Sequence, residues 1–151
     1  MSIPTAVAVD VSRGGIRIAI SEARVRAVVR AVCRREQVRD ALISVAFIGK
    51  ARMARMNRDF LCHTGATDVI TFALDRGASG PSAGTILGDI YIAPEVARDN
   101  AKAHGVGVRL EITRLIVHGT LHVLGYTHEE DERRTLGEMW RRQERILAAI
   151  A

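Results

Sequence analysis

Apolar positions along the chain change period several times, and each change marks an element. Residues 3–10, Ile-Pro-Thr-Ala-Val-Ala-Val-Asp, read as a strand, and Ser12-Arg-Gly-Gly15 as a turn. Ser21 is a good N-cap for a helix over about 22–36, with Val25, Val28, Val29 and Val32 at helical spacing. Leu42–Ile48 is a second strand, and Lys50 to about Phe60 a second helix with Met53, Met56 and Phe60 on one face. Asp68–Leu74, rich in β-branched and aromatic residues, is a third strand. A Gly/Ser/Pro stretch over 76–84 follows as a surface loop, then a fourth strand over Thr85–Ile92. That loop is too short for a crossover helix, so the third and fourth strands are expected to be antiparallel. Pro94 opens a helix to about Ala103, with Glu95 in its first turn.

The next helix, about 108–124, carries Leu110, Ile112, Leu115, Ile116, Val117, Leu121 and Val123 around nearly its whole circumference. A helix apolar all round is central and buried. The last helix, about 131–149, shows an amphipathic stripe of Leu136, Met139, Trp140, Gln143, Ile146, Leu147 and Ile150. The pattern predicts one α+β domain over 1–151: a small mixed sheet of about four strands, a central buried helix and flanking helices. There is no internal repeat.

Composition changes this picture little. Hydrophobic content of 48% with 26% charged residues is ordinary for a globular domain. No apolar run approaches a membrane span, and the N-terminus lacks a basic segment followed by an apolar one. A cytoplasmic address without membrane contact is the expectation. Two cysteines make no disulfide framework; Cys33 sits in an apolar helical pattern, and Cys62 stands beside His63 as a minor ligand candidate. Charge is more informative. The formal net charge is +5, and of the 22 basic residues only Lys50 and Lys102 are lysines. Arg24, Arg26, Arg30, Arg34, Arg35 and Arg39 crowd one segment, and Lys50, Arg52, Arg55 and Arg58 the next. Such clusters suit a polyanion like RNA. The few aromatics exclude a large base-stacking platform.

The chemistry concentrates at the end of the buried helix. His118 and His122 are four apart, so they share one helix face. Gly125 is suited to the left-handed turn that brings His128 back to the same point. Three imidazoles with an open fourth position suit a catalytic zinc, one per chain. The spacing matches that of metzincin metalloproteases, but their general-base Glu is replaced here by Gly119, which transfers no proton. Glu129 and Asp131 are carboxylates near the third histidine, and Asp68 and Asp89 are expected to border the groove beside the third strand.

The segment His118-Gly-Thr-Leu-His-Val-Leu-Gly-Tyr-Thr-His128 resembles the HGxLHLxGYDH signature of the YbeY family of bacterial single-strand endoribonucleases. Ala66-Thr-Asp-Val-Ile-Thr-Phe72, Leu87-Gly-Asp-Ile-Tyr-Ile92 and Met56-Asn57 are similar to further segments of that family, in the same order. The resemblance implies a zinc-dependent hydrolase of single-stranded RNA that acts on the small ribosomal subunit, in 16S rRNA 3′-end maturation and ribosome quality control. It implies zinc ligands at His118, His122 and His128, with His118 also counted as catalytic, and no DNA substrate. Two positions depart from the pattern. Thr127 stands where the family has Asp, and Leu61 where it has an arginine held to contact the scissile phosphate. Arg58, three residues earlier, is the candidate replacement. Leu61 also favours an alternative, a non-catalytic RNA-binding assembly factor with a structural zinc; metzincin-like peptidase activity is a more distant one.

Overall fold

The computed structural model describes residues 6–74, 85–126 and 132–150, with side chains of the last segment from Gly137 onward. The start of the first predicted strand, the 76–84 loop and the segment carrying Thr127, His128, Glu129 and Asp131 lie outside the described residues. The elements run β1 (Val7–Ser12), α1 (Glu22–Arg35), β2 (Ala41–Phe47), α2 (Lys50–Leu61), β3 (Val69–Ala73), β4 (Ile86–Ile92), α3 (Pro94–His104), α4 (Val108–Val123) and α5 (Glu132–Ile150). The class is α+β with a four-stranded mixed sheet, as the pattern predicts. No helix among the described residues is long and apolar enough to cross a membrane.

The sheet order is β1-β2-β4-β3. β1, β2 and β4 are mutually parallel, and β3 runs antiparallel to β4 at the edge, pairing Thr71 with Ile90 and Phe72 with Asp89. Local chemistry sets the helix ends: the Ser21 hydroxyl accepts from the Arg24 N–H at 3.0 Å, and Pro94 occupies the first turn of α3.

One face of the sheet carries the main core. Ile43, Val45, Phe47, Ile90 and Ile92 pack there against Val25, Val28, Val29 and Val32 of α1 and Ile112, Ile116 and Leu121 of α4. α4 is buried nearly all round, which its apolar circumference required. On the other face, α2 packs Met53 against Ile70 near the β3 edge. Two expectations need correction. Trp140, placed on the apolar stripe of α5, is 54% exposed, while Met139, Ile146 and Leu147 bury as predicted. Strand β3 begins at Val69, one residue later than expected; the Asp68 carbonyl still accepts from the Ala93 N–H in line with the Val69–Ile92 pairing, while its carboxylate accepts from the Asn100 side chain.

The fit between α4 and the sheet rests on two glycines. A Cβ on Gly119 would stand 2.8 Å from Cγ2 of Ile90 and 3.3 Å from Cγ2 of Thr71. A Cβ on Gly88 of β4 would stand 2.3 Å from Cγ1 of Val123. Helix and strand therefore meet backbone to side chain, with no room for a longer residue at either point.

Candidate metal and catalytic site

α4 ends in a tight reversal. Gly125 adopts φ +116°, its N–H donates to the His122 carbonyl at 3.0 Å, and the Tyr126 N–H reaches the Leu121 carbonyl at 3.1 Å. This is the paired bonding of a Schellman cap, and glycine takes the positive φ without strain. The cap carries the Tyr126 carbonyl back over the helix end, where Nδ1 of His122 donates to it at 2.7 Å. One turn earlier, Nδ1 of His118 donates to Oε1 of Gln143 on α5, also at 2.7 Å.

These partners call for a hydrogen on each Nδ1. A backbone carbonyl can only accept. The Gln143 amide is oriented by its nitrogen, which donates to Glu144 at 3.0 Å, so its oxygen faces His118. Each histidine then holds its ring proton on Nδ1 and turns Nε2 toward the other, with 3.1 Å between the two Nε2 atoms. With both rings neutral, two Nε2 atoms converging at that distance are suited to sharing a cation. Two imidazole nitrogens bound tetrahedrally to one zinc ion at about 2.0–2.1 Å stand about 3.3 Å apart. The donor pair thus fits the metal that the spacing points to. Among the described residues no group of three or more His, Cys, Asp or Glu side chains is placed to hold a metal ion. His128, the third candidate ligand, lies outside them.

Behind each histidine stands a charged network. Gln143, buried to 2% exposure, leads to Glu144, which Arg114 of α4 grips with two nitrogens at 3.1 and 3.2 Å. Arg114 also approaches Glu111 at 3.7 Å. Burial pushes the Glu144 carboxyl up, but the hydrogen bonds from Arg114 and Gln143 and the Arg114 charge outweigh it and hold the group below its ordinary value. The same hydrogen bond to Glu144 raises the Arg114 guanidinium. On the His122 side, the Tyr126 hydroxyl donates to Glu36 at 2.6 Å, and Arg142 pairs with Glu36 at 3.0 Å while lying 5.4 Å over the Tyr126 ring. Burial first, then the bond to Glu36, pushes the Tyr126 phenol up to about 12.

The structure thus joins His118 and His122. Arg58 stands apart from them on α2, exposed and ion-paired with its neighbour Asp59 at 3.2 Å. α2 packs on the sheet face opposite α4: Phe60 meets Phe72 edge to face, and the pleat turns Phe72 away from α4, since its neighbour Thr71 faces Gly119. Leu61 closes α2 at 43% exposure, followed by Cys62, exposed in a left-handed turn. The pleat also corrects the placement of Asp89. Gly88 and Ile90 face α4, so Asp89 points to the opposite face, where it accepts from Ser44 at 2.6 Å. Sequence reasoning missed Gln143, Glu36 and Arg142. A signal existed for Gln143 alone: a polar residue within an otherwise apolar helical stripe.

Comparison with known proteins adds to this geometry. The family model described as Endoribonuclease YbeY matches residues 12–151. A relative from Halalkalibacterium halodurans, named Endoribonuclease YbeY, is 40% identical over 115 residues, covering 71% of this chain and 70% of that protein. One of the same name from Staphylococcus carnosus is 40% identical over 113 residues, covering 72% and 71%. The solution structure of a Thermotoga maritima protein matches with a TM-score of 0.62 at 21% identity, over 94% of this chain and 88% of that one, which speaks for the fold. The histidine-bearing helix, its cap and the sheet that seats them therefore belong to a nuclease hydrolase, and the chain is a member of the endoribonuclease YbeY family.

Proposed function

We propose that this protein is a zinc-dependent endoribonuclease that cuts single-stranded RNA, acting in the cytoplasm on the small ribosomal subunit in 16S rRNA 3′-end maturation and ribosome quality control. The observation that carries the metal-dependent part is the pair of Nε2 atoms, turned toward each other at 3.1 Å by acceptors on both Nδ1 hydrogens. The RNA-cleaving part rests on the name shared by the relatives.

His118, His122 and His128 are the ligands in this reading. When bound, zinc supplies a Lewis acid and lowers the pKa of a coordinated water to about 7. Gln143 and the Tyr126 carbonyl hold the two imidazoles in the ligating tautomer and raise their basicity. Gly119 supplies no base, and its contact with Ile90 leaves no space for a glutamate, which argues against a peptidase built on the metzincin plan. Arg58 is the candidate contact to the RNA phosphate; it lies on α2, on the sheet face opposite α4, so this role requires it to leave Asp59 and the RNA strand to round the β3 edge. Leu61 offers neither hydrogen bond nor charge to that phosphate. Loss of one such donor typically costs about 10²–10³ in turnover.

The test uses the purified full-length chain, assayed for metal and for cleavage of a single-stranded 16S rRNA 3′ fragment. Cleavage should vanish with chelator and return with added zinc, and Leu61→Arg should raise the rate at least tenfold unless Arg58 already fills the role. A fully zinc-loaded protein that leaves the RNA intact would overturn the assignment.

A further inference from the structure

The two arginine-rich segments differ once folded. In the first, Arg24 donates to the Ile150 carbonyl and Arg26 lies 4.0 Å from Glu22. Arg30, Arg34 and Arg39 are exposed instead and make no ion pair among the described residues. They line one groove of about 1000 Å³ with Gln37 and Val38, at the end of α1 and its connection to β2. Arg30 is anchored there by donating Nε to the Val7 carbonyl at 3.3 Å. Among the described residues no carboxylate lines the groove. The two acids that flank it in sequence are engaged elsewhere, Glu36 with Tyr126 and Arg142 and Asp40 with the Thr85 hydroxyl, which donates to it at 2.7 Å.

This groove adjoins the histidine site. Val38 lines it and also lines a smaller recess with Glu36, Leu124, Gly125 and Tyr126, where Arg142 pairs with the Glu36 carboxylate. Tyr126 is the residue whose carbonyl holds His122. Three cations, a concave wall and continuity with the site thus coincide. Arg34 in the last turn of α1 also complements the helix dipole. That accounts neither for Arg39 beyond the helix nor for Arg30 a full turn earlier.

We propose that this groove holds the phosphodiester backbone of single-stranded RNA on one side of the cleaved bond, with Arg30, Arg34 and Arg39 each meeting a phosphate. The inference rests on the RNA-cleaving reading and adds the path of the strand. Arg30 and Arg34, one helical turn apart, have Cβ atoms about 5–6 Å from each other and can serve neighbouring phosphates. The basic face of α2, by contrast, lies across the sheet.

The experiment measures binding of a fluorescein-labelled single-stranded RNA over a range of salt concentrations, for the full chain and two variants. Each phosphate contact on a single strand contributes about 0.7 to the slope of log affinity against log salt. The triple variant Arg30→Gln/Arg34→Gln/Arg39→Gln should lower the magnitude of that slope by about 2, the sum of three contacts. The α2 variant Arg52→Gln/Arg55→Gln should leave it within error of the parent. Should the triple variant fail to fold by circular dichroism, Arg34→Gln alone should lower the slope by about 0.7. An unchanged slope in the α1 variants, or an equal loss in the α2 variant, overturns the groove while leaving the nuclease reading intact. A parent chain with no salt-dependent affinity for single-stranded RNA overturns both.

Discussion

The two histidines that face each other are held by different means. His118 leans on a side chain, Gln143, which is steadied by Glu144 and Arg114 across two helices. His122 leans on a main-chain carbonyl delivered by the cap of its own helix. Side-chain support can be removed by one substitution while the backbone stays in place. Main-chain support is lost only if the loop moves, and here Glu36 and Arg142 pin that loop through the Tyr126 side chain. The first device is specific and fragile; the second is robust and tied to the stability of the whole helix end.

Removing either ring erases the comparison and gives the largest effect. His118→Ala and His122→Ala should each abolish RNA cleavage and lower zinc content, measured by elemental analysis of the purified protein. The fold should persist with a modest loss of melting temperature, since a catalytic ion is not what holds the core together. Complete failure to fold would move the metal to a structural role.

Removing one support should separate the two sides. Gln143→Leu leaves the His118 Nδ1 hydrogen without its acceptor, and zinc affinity should fall about 10–100-fold in a chelator competition. Gln143→Glu keeps an acceptor in place and should recover most of that loss. Tyr126→Phe is the matching test on the other side. It keeps the carbonyl, so zinc affinity should move far less. It strips a hydrogen bond from Glu36, whose side chain is only 8% exposed, and should cost about 1–3 kcal/mol in denaturant unfolding. A larger drop in affinity for Tyr126→Phe than for Gln143→Leu would reverse the comparison.

The smallest expected effect is in acid. Glu144 is held below its ordinary value in the folded chain, so its contribution to stability is present above the usual carboxylate pKa and fades as pH falls through the lowered one. Melting temperatures of the metal-free protein between pH 6 and pH 3 should show this limb, and Arg114→Gln should flatten it. An unchanged limb in Arg114→Gln would remove Glu144 from the account.

Much of this was legible in the residues, and the gaps have physical causes. The α4 periodicity, the His118–His122 spacing and the role of Gly125 are local, set within a few residues of one helix, and local rules read them. The order β1-β2-β4-β3 depends on how layers stack, which no window along the chain reports. Glu36 and Arg142 are 106 residues apart, and nothing in either neighbourhood marks them as partners. Asp89 illustrates a subtler failure. Its strand is evident in the sequence, but which face it presents depends on the parity set by Gly88 and Ile90 against α4. Leu61 and Thr127 were visible as departures from the family pattern, yet sequence gave no measure of what replaces the lost groups.

The clearance between α4 and β4 bears on what this scaffold can become. Its histidine spacing is that of a protease family, and a Gly119→Glu change would restore the missing carboxylate on paper. The first added carbon already meets Ile90 at 2.8 Å, so the change pries the helix off the sheet before any base is positioned. A viable route needs a second change that hollows β4 at Ile90, made before or together with the first. The two chemistries are therefore at least two coordinated substitutions apart on this fold, and the lone Gly119→Glu change is expected to loosen the contact between α4 and the sheet.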